Sequence, residues 1–193
     1  MIDFIKSKVK NSIDLKTSLL NKPEILNSVQ SVVNDIIASY KNGGKVLWCG
    51  NGGSAADAQH LAAELSGRFY YDRPPLFSEA LHVNTSYTTA VANDYSYDVI
   101  YSRLVEAMGK KGDVLIGLST SGNSGNVIKA LEAANKLGMV TVGFTGETGG
   151  KMKDHCKYLI NIPSTDTPRI QECHMLLGHT ICELVEMNLF PKK

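Results

Sequence analysis

The segment LWCGNGGSAADAQH, Leu47–His60, runs from a buried apolar strand through a glycine-rich turn into an alanine-rich helical stretch. Glycines let a backbone approach a ligand closely and adopt positive φ angles. The N-terminus of the helix that follows offers free N–H groups and a partial positive charge. The segment therefore predicts a strand–turn–helix unit of an α/β fold, with a turn that can bind an anion.

Strands and helices are predicted to alternate along the rest of the chain. Pro23 suits the first turn of a helix within a helical N-terminal region, and Asn42–Gly44 ends that region. Continuous apolar strands separated by helices are typical of a parallel sheet covered on both faces. We expect a three-layer, flavodoxin-like α/β fold of about five parallel strands with an N-terminal helical extension. The predicted strands are Lys45–Cys49, Glu79–Val83, Asp113–Leu118, Met139–Phe144 and Tyr158–Ile162, and the clearest later helices are Asn123–Leu137 and Arg169–Leu189.

Length and composition predict one domain over residues 1–193, with helices in 1–43 and the α/β core and C-terminal helix in 44–193. A net charge of +1 argues against a nucleic-acid partner. No apolar run approaches the roughly 20 residues of a membrane helix, and the charged N-terminus does not resemble a signal peptide. The four cysteines form no CxxC pair, so we expect a reducing, cytoplasmic environment.

A second loop, LSTSGNS at Leu118–Ser124, also joins a predicted strand to a helix and combines a glycine with several hydroxyl side chains. Such residues often only cap helices and form turns. Two such loops on one sheet favour a ligand, because parallel sheets bind ligands beyond their carboxyl ends. A phosphate monoester suits the hydroxyl groups, which belong to Ser119, Thr120, Ser121 and Ser124.

Nucleotide binding is a weaker interpretation of these loops. GNGGSA formally matches the dinucleotide pattern G-x-G-x-x-A, which also requires an acidic residue about 20 positions later. The second predicted strand instead ends in HVNTSY, His82–Tyr87, which contains no acid. A Walker loop needs a lysine after its glycines, and none follows here.

Acidic and imidazole side chains lie on the helices that follow. His60 and Glu64 share a helix face, and the last helix carries Gln171, Glu172, His174 and His179. Taken alone, the first two could form a surface pair, and His179 could be a core histidine bonded to a carbonyl. Beside a bound sugar phosphate, however, a carboxylate and an imidazole could move protons between adjacent carbons. They could also bind zinc. No role is assigned to His174.

Four segments carry a family resemblance: Gly50–Arg68, Ala90–Tyr95 (AVANDY), Leu115–Leu131 and Arg169–Glu186 (RIQECHMLLGHTICELVE). With GGKM at Gly149–Met152, they resemble the sugar isomerase (SIS) domain family, and within it the sedoheptulose-7-phosphate isomerases, over nearly the whole chain. The resemblance implies a homotetramer with sites between subunits. It also implies conversion of sedoheptulose 7-phosphate to D-glycero-D-manno-heptose 7-phosphate through an enediol. That is the first step towards ADP- or GDP-heptose for lipopolysaccharide or capsule.

The resemblance also implies residue roles. Glu64 would be the base and His179 the partner acid/base. Substrate contacts would come from Asn51, Gly52, Gly53, Ser54, Glu64, Arg68, Asn93, Asp94, Ser119, Thr120, Ser121, Ser124 and Gln171. One zinc ion per subunit would be bound by His60, Glu64, Gln171 and His179.

Two features of the sequence bear on whether all of these implied contacts form. Gln171 and His179 are about 12 Å apart along a regular helix. One metal reaches both only if the helix begins late or bends, or if one contact is indirect. Some relatives also carry an acid immediately before Arg169, where this chain has Pro168, and Asp166 is two residues earlier.

A non-catalytic SIS adaptor is the alternative function. The adaptor that associates with the replication initiator DnaA shares the loops and the tetramer, but it lacks the glutamate and the last-helix histidine. SIS regulators usually carry a helix-turn-helix domain, for which 193 residues leave no room. The presence of Glu64 and His179 favours the isomerase.

Overall fold

The computed structural model describes residues 1–192, in which five strands alternate with helices. The strands are β1 (Val46–Gly50), β2 (Ser78–Ala80), β3 (Val114–Ser119), β4 (Val140–Thr145) and β5 (Tyr158–Asn161). The α-helices are α1 (Ile2–Leu19), α2 (Pro23–Lys41), α3 (Gly53–Ser66), α4 (Thr85–Asp94), α5 (Ile100–Met108), α6 (Gly125–Lys136) and α7 (Thr167–Leu189). Two 3₁₀ segments cover Tyr97–Val99 and Gly150–His155.

All five strands are parallel and lie in the order β2-β1-β3-β4-β5. In the register, Val46 of β1 lies between Ser78 of β2 and Val114 of β3. The order is that of flavodoxin-like sheets, so the predicted fold class is confirmed. The strand order reverses between β1 and β3, which is where ligands of such sheets bind. Both glycine- and hydroxyl-rich loops follow these two strands.

Side chains of the central strands alternate between two cores. Trp48 and Ile116 pack with α2, α3 and α7 on one face of the sheet. Leu47 and Leu115 pack with α5 and α6 on the other. This alternation is the period-two geometry of strands, and it explains why the central strands are apolar throughout.

The observed boundaries differ from the predicted ones mainly in two places, the start of α7 and the second strand. The N-terminal region is helical as predicted, and α2 begins with Pro23, whose missing N–H costs nothing in a first turn. For the same reason α7 accommodates Pro168 and begins at Thr167 rather than Arg169. The second strand is only Ser78–Ala80 rather than Glu79–Val83, because the chain turns and Asn84 caps α4 by accepting the Tyr87 N–H.

Helix α1 leaves much of its apolar side uncovered. Phe4, Ile5, Val9 and Ile13 are each more than half exposed, and they line a cleft with Arg169 and Glu172 of α7. No helix in the described part of the chain is both long enough and apolar enough to cross a membrane.

Candidate active site

The first loop is shaped by glycines between β1 and α3. Gly52 has a φ of 57°, in the left-handed region that favours glycine, and it caps α3 without any side-chain hydrogen bond. At Gly53 an added Cβ would lie 2.6 Å from Nε2 of Gln171. The Gln171 amide therefore rests against this loop, and a side chain at position 53 would displace it.

Three of the four predicted hydroxyl residues converge in the second loop. Ser119 Oγ lies 2.8 Å from Ser124 Oγ and 3.4 Å from Ser121 Oγ. Thr120, the fourth predicted residue, lines a cleft next to this cluster together with Ser121, Glu147 and Thr167 among others. A phosphate placed at the N-terminus of α6 would meet this serine cluster.

The GGKM segment, Gly149–Met152, packs against the second loop, Leu118–Ser124, which we call the serine loop. Gly122 has a φ of 67°, and its backbone packs so closely on Gly149 and Gly150 that a Cβ at Gly122 would collide with them. The Met152 N–H donates a 2.9 Å hydrogen bond to the Gly122 carbonyl. This packing accounts for the glycines of both segments.

A pair of amides connects the two loops. Asn51 Nδ2 donates to Asn126 Oδ1 at 2.8 Å, and Asn126 Nδ2 donates to Asn51 Oδ1 at 2.9 Å. Tyr97 donates its hydroxyl to the same Asn51 oxygen at 3.0 Å. Neither Asn126 nor Tyr97 was predicted from the sequence, in which the only local signal is the place of Asn126 just after the serine loop. Asn51 therefore fixes one loop against the other as well as lying at the predicted site.

Helices α3 and α7 bring together three predicted metal ligands. His60 Nε2 lies 3.0 Å from Glu64 Oε1 and 3.2 Å from His179 Nε2. One ligand atom from each of the three residues lies within 4.8 Å of the others. We call these residues the His–Glu–His cluster. Two imidazole nitrogens and one carboxylate oxygen form a donor set that suits a transition metal such as zinc.

The electrostatics of the cluster favour a neutral imidazole at His179. Burial lowers the pKa of His179, the neighbouring His60 lowers it further, and Glu64 opposes the shift. The neutral form is the one that binds a metal or accepts a proton. The ring centroid of Phe69 lies 5.8 Å from that of His179 and covers one side of it.

Gln171 lies apart from the His–Glu–His cluster within one chain. Helix α7 is continuous from Thr167 to Leu189, so it begins before Gln171 and is not interrupted between Gln171 and His179. The two residues are therefore about 12 Å apart along the axis, and Gln171 contacts Gly53 instead. One chain alone gathers three of the four predicted zinc ligands.

Asp57 is a further carboxylate near the site, and it was not predicted from the sequence. It lies one turn before His60 and lines a shallow cleft with Gln171 and Lys16. One of its oxygens is buried without a hydrogen-bond partner among residues 1–192, and burial raises its pKa. Asp166, in contrast, is exposed at the start of α7 and does not cap it through its side chain.

Four of the predicted substrate contacts take part in none of the contacts described above. Asn93 and Asp94 bond to each other at 2.9 Å on the exposed end of α4. Arg68 is exposed just after α3, and within residues 1–192 it forms no ion pair. Ser54 is buried in the first turn of α3.

Comparison with known proteins decides the family. The SIS domain model matches residues 17–146. A phosphoheptose isomerase of Aneurinibacillus thermoaerophilus is 52% identical over 193 residues, covering 100% of this chain and 98% of that protein. The chain belongs to the phosphoheptose isomerase family.

Solved phosphoheptose isomerases share the whole fold. The enzyme from Neisseria gonorrhoeae matches with a TM-score of 0.88 and 40% identity, over 95% of this chain and 97% of that one. The enzyme from Francisella tularensis matches with a TM-score of 0.91 and 33% identity, over 96% and 98% respectively. The predicted phosphoheptose isomerase family is thus confirmed over nearly the full length.

Proposed function

We propose that the protein is an aldose–ketose isomerase that converts sedoheptulose 7-phosphate to D-glycero-D-manno-heptose 7-phosphate. The observation that carries this proposal is the convergence of His60, Glu64 and His179 in a member of the phosphoheptose isomerase family. A non-catalytic adaptor has no need of such a cluster. We further propose that the product feeds the synthesis of ADP- or GDP-heptose for lipopolysaccharide or capsule.

The proposed chemistry is proton transfer through an enediol. Glu64 removes a proton from C1 of the ketose while His179 protonates the C2 oxygen, which gives the enediol. His179 then takes the proton from the C1 oxygen, and Glu64 returns its proton to C2, which gives the aldose. The lowered pKa of His179 supports donation to the C2 oxygen, because it makes the protonated imidazole a stronger acid.

Substrate binding is proposed at the two loops of the switch point. The hydroxyls of Ser119, Ser121 and Ser124, together with the N-terminus of α6, suit the phosphate. The remaining candidates would contact the sugar chain or complete the phosphate site; they are Asn51, Gly52, Gly53, Ser54, Glu64, Arg68, Asn93, Asp94, Thr120 and Gln171.

A zinc ion, one per subunit, fits the His–Glu–His cluster by donor type and proximity. His60, Glu64 and His179 would hold it, and Gln171 would be the fourth ligand only if a neighbouring copy supplies it. Bound there, zinc would polarise the carbonyl and hydroxyl oxygens of the substrate.

Assembly into a homotetramer, with sites between subunits, is part of the proposal. The apolar side of α1 supports it, because Phe4, Ile5, Val9 and Ile13 remain exposed in one chain. The separation of Gln171 from the His–Glu–His cluster also supports it, since a neighbouring copy could supply the missing groups. The four free cysteines favour the cytoplasm, and we propose one domain, with residues 1–43 as helices and 44–193 as the core.

One experiment tests the function directly. The purified protein is incubated with sedoheptulose 7-phosphate in deuterated water, and the products are followed by NMR. We expect the aldose phosphate to form with deuterium at C2, because the proton on Glu64 exchanges with solvent. A protein that forms tetramers but gives no aldose, with or without added zinc, would favour the adaptor.

A further inference from the structure

A long irregular segment, residues 67–77, joins α3 to β2 and begins with part of the candidate site. Arg68 is its second residue, and the Phe69 ring faces His179. Loops position functional residues well only when a rigid scaffold holds them. In this chain a buried pair, Arg73 and Glu186, connects the segment to both α3 and α7, in addition to the hydroxyl of Tyr71, which donates to the Phe190 carbonyl at 2.6 Å. We call this pair the clamp.

Glu186 forms the half of the clamp on α7. Its carboxylate accepts the N–H groups of Phe69 at 2.9 Å and Tyr70 at 2.8 Å, and Nε of Arg73 at 3.1 Å. Both clamp side chains are only 1% exposed. Burial alone would raise the pKa of Glu186, but the Tyr70 and Phe69 N–H groups and Arg73 outweigh it, and the net pKa is lowered. The clamp is therefore a charged pair.

Arg73 forms the other half by capping the end of α3. Its guanidinium donates to the carbonyl of Leu65 at 2.7 Å, to that of Glu64 at 2.8 Å, and to that of Gly67 at 3.1 Å. The last carbonyls of a helix have no partner within the helix, and a basic side chain can satisfy them. The backbone of Glu64 is thus fixed by the same guanidinium that bonds to Glu186.

The clamp therefore joins every element that carries the proposed proton-transfer groups. Glu64 lies on the turn of α3 that Arg73 caps. His179 lies on α7, seven residues before Glu186. Phe69, whose N–H bonds to Glu186, places its ring 5.8 Å from His179. A change in the clamp would move these groups relative to one another without removing any of them.

We propose that Arg73 and Glu186 are positioning residues, which set the separation of Glu64 from His179 and the order of the segment that carries Arg68. The activity part of the proposal rests on the proposed isomerase function. A buried ion pair is by itself weak grounds for a stabilising role, since apolar residues often replace one without loss. The directed bonds to Glu64, Phe69 and Tyr70 are what assign the clamp to the site.

Two conservative variants and a matched control test the clamp. Glu186→Gln keeps the shape of the side chain but removes its charge. Arg73→Lys keeps the charge but loses the planar guanidinium, which donates several hydrogen bonds at once. Asp113→Asn disrupts a comparable buried pair, Lys45–Asp113, whose Nζ and Oδ2 atoms are 2.6 Å apart. That pair lies where β1 and β3 begin, at the end of these strands opposite to the two loops. All are compared with the parent at a temperature where circular dichroism shows them folded.

Two readouts separate positioning from stability. The first is kcat and KM with sedoheptulose 7-phosphate. The second is the affinity for Co²⁺ alone, followed by its visible absorption. We expect both clamp variants to lose at least about tenfold in kcat with KM changed less than about twofold. We expect Co²⁺ affinity to fall about 10- to 100-fold, as when groups that orient metal ligands are removed. Asp113→Asn should match the parent in both.

Several results would overturn the proposal. Clamp variants that match Asp113→Asn in kcat and Co²⁺ affinity would do so, and so would a change in KM alone. If Glu186→Gln does not fold, the kcat and the Co²⁺ affinity of Arg73→Lys decide whether the proposal stands. If the parent itself shows no isomerisation, the proposed function fails, and the Co²⁺ titration alone decides whether the clamp positions the His–Glu–His cluster.

Discussion

His60 and His179 are 119 positions apart in the chain, yet their Nε2 atoms lie 3.2 Å apart. Helices α3 and α7 run side by side on one face of the sheet, so residues 53 and 171 meet at one level and residues 60 and 179 meet further along. Glu64, one turn beyond His60, completes the cluster. This arrangement turns a helix-surface pair into a three-residue site.

Replacing Glu64 by glutamine should stop isomerisation. The amide is nearly isosteric but cannot take a proton from carbon, and a lost general base typically costs about 10²- to 10⁴-fold in rate. We expect kcat to fall by at least about a hundredfold, while calorimetry still detects binding of the sugar phosphate. Glu106→Gln, an exposed change on α5, should leave kcat unchanged. Full activity in Glu64→Gln would remove this residue from the mechanism.

Zinc dependence can be measured separately. Dialysis against a chelator should lower activity, and added zinc should restore it. His60→Ala should reduce the zinc content measured by mass spectrometry, because it removes one of three converging donors. The control is His155→Ala, since His155 lies at the end of a 3₁₀ segment and only approaches Glu132 at 3.7 Å. Unchanged activity in the metal-free protein would indicate acid–base chemistry without a metal.

Local patterns explain what could be predicted from the sequence. The apolar runs predicted both bounds of β3 and β4 to within one residue, since central parallel strands are buried on both faces. The spacing of His60 and Glu64 placed both on one helix face. By contrast, the Asn51–Asn126 pair and the Arg73–Glu186 clamp depend on contacts between distant elements. No periodicity encodes such contacts, so they emerged only from the structure.

Substrate affinity should depend on the amide pair between the two loops. Asn126→Ala leaves the Asn51 Nδ2 and the Val127 N–H without their present acceptor. An unsatisfied buried polar group costs about 1–3 kcal/mol. We expect KM to rise about tenfold or more, with a smaller change in kcat, because the proposed role of the loops is to bind the phosphate rather than to transfer protons.

The matched control for the amide pair lies on the same helix. Asn135→Ala removes an amide that bonds to the His155 carbonyl and to Thr141, far from the loops. It should leave KM unchanged. Equal KM values in both variants and the parent would show that the amide pair does not organise the phosphate site.

Assembly should depend on the apolar side of α1. Val9→Glu places a charge in the exposed stripe, whereas Lys6→Glu changes the charge of α1 at an exposed lysine outside this stripe. By sedimentation velocity, we expect Val9→Glu to shift the protein to smaller species and Lys6→Glu to leave its size unchanged. Tetramers of Val9→Glu at low protein concentration would place the interface elsewhere.

Acid should destabilise the protein through His174. This residue is fully buried, its Nε2 donates to the Thr145 carbonyl at 3.1 Å, and burial lowers its pKa to about 4 although that hydrogen bond opposes the shift. The unfolded chain, with an ordinary histidine pKa near 6.5, therefore binds more protons between pH 6.5 and 4. Stability from the neutral form is complete above pH 6.5 and is lost as the pH falls towards 4.

The size of this effect can be isolated with one variant. From pH 7 to pH 5, proton linkage at His174 alone should lower the free energy of unfolding by about 2 kcal/mol. His174→Met removes that linkage, although its Thr145 carbonyl loses a partner and the variant starts out less stable at pH 7. Urea unfolding at both pH values should therefore show a loss about 2 kcal/mol smaller in His174→Met than in the parent. Equal losses would mean that His174 becomes protonated within the folded protein at little cost, and that its burial does not oppose the charge.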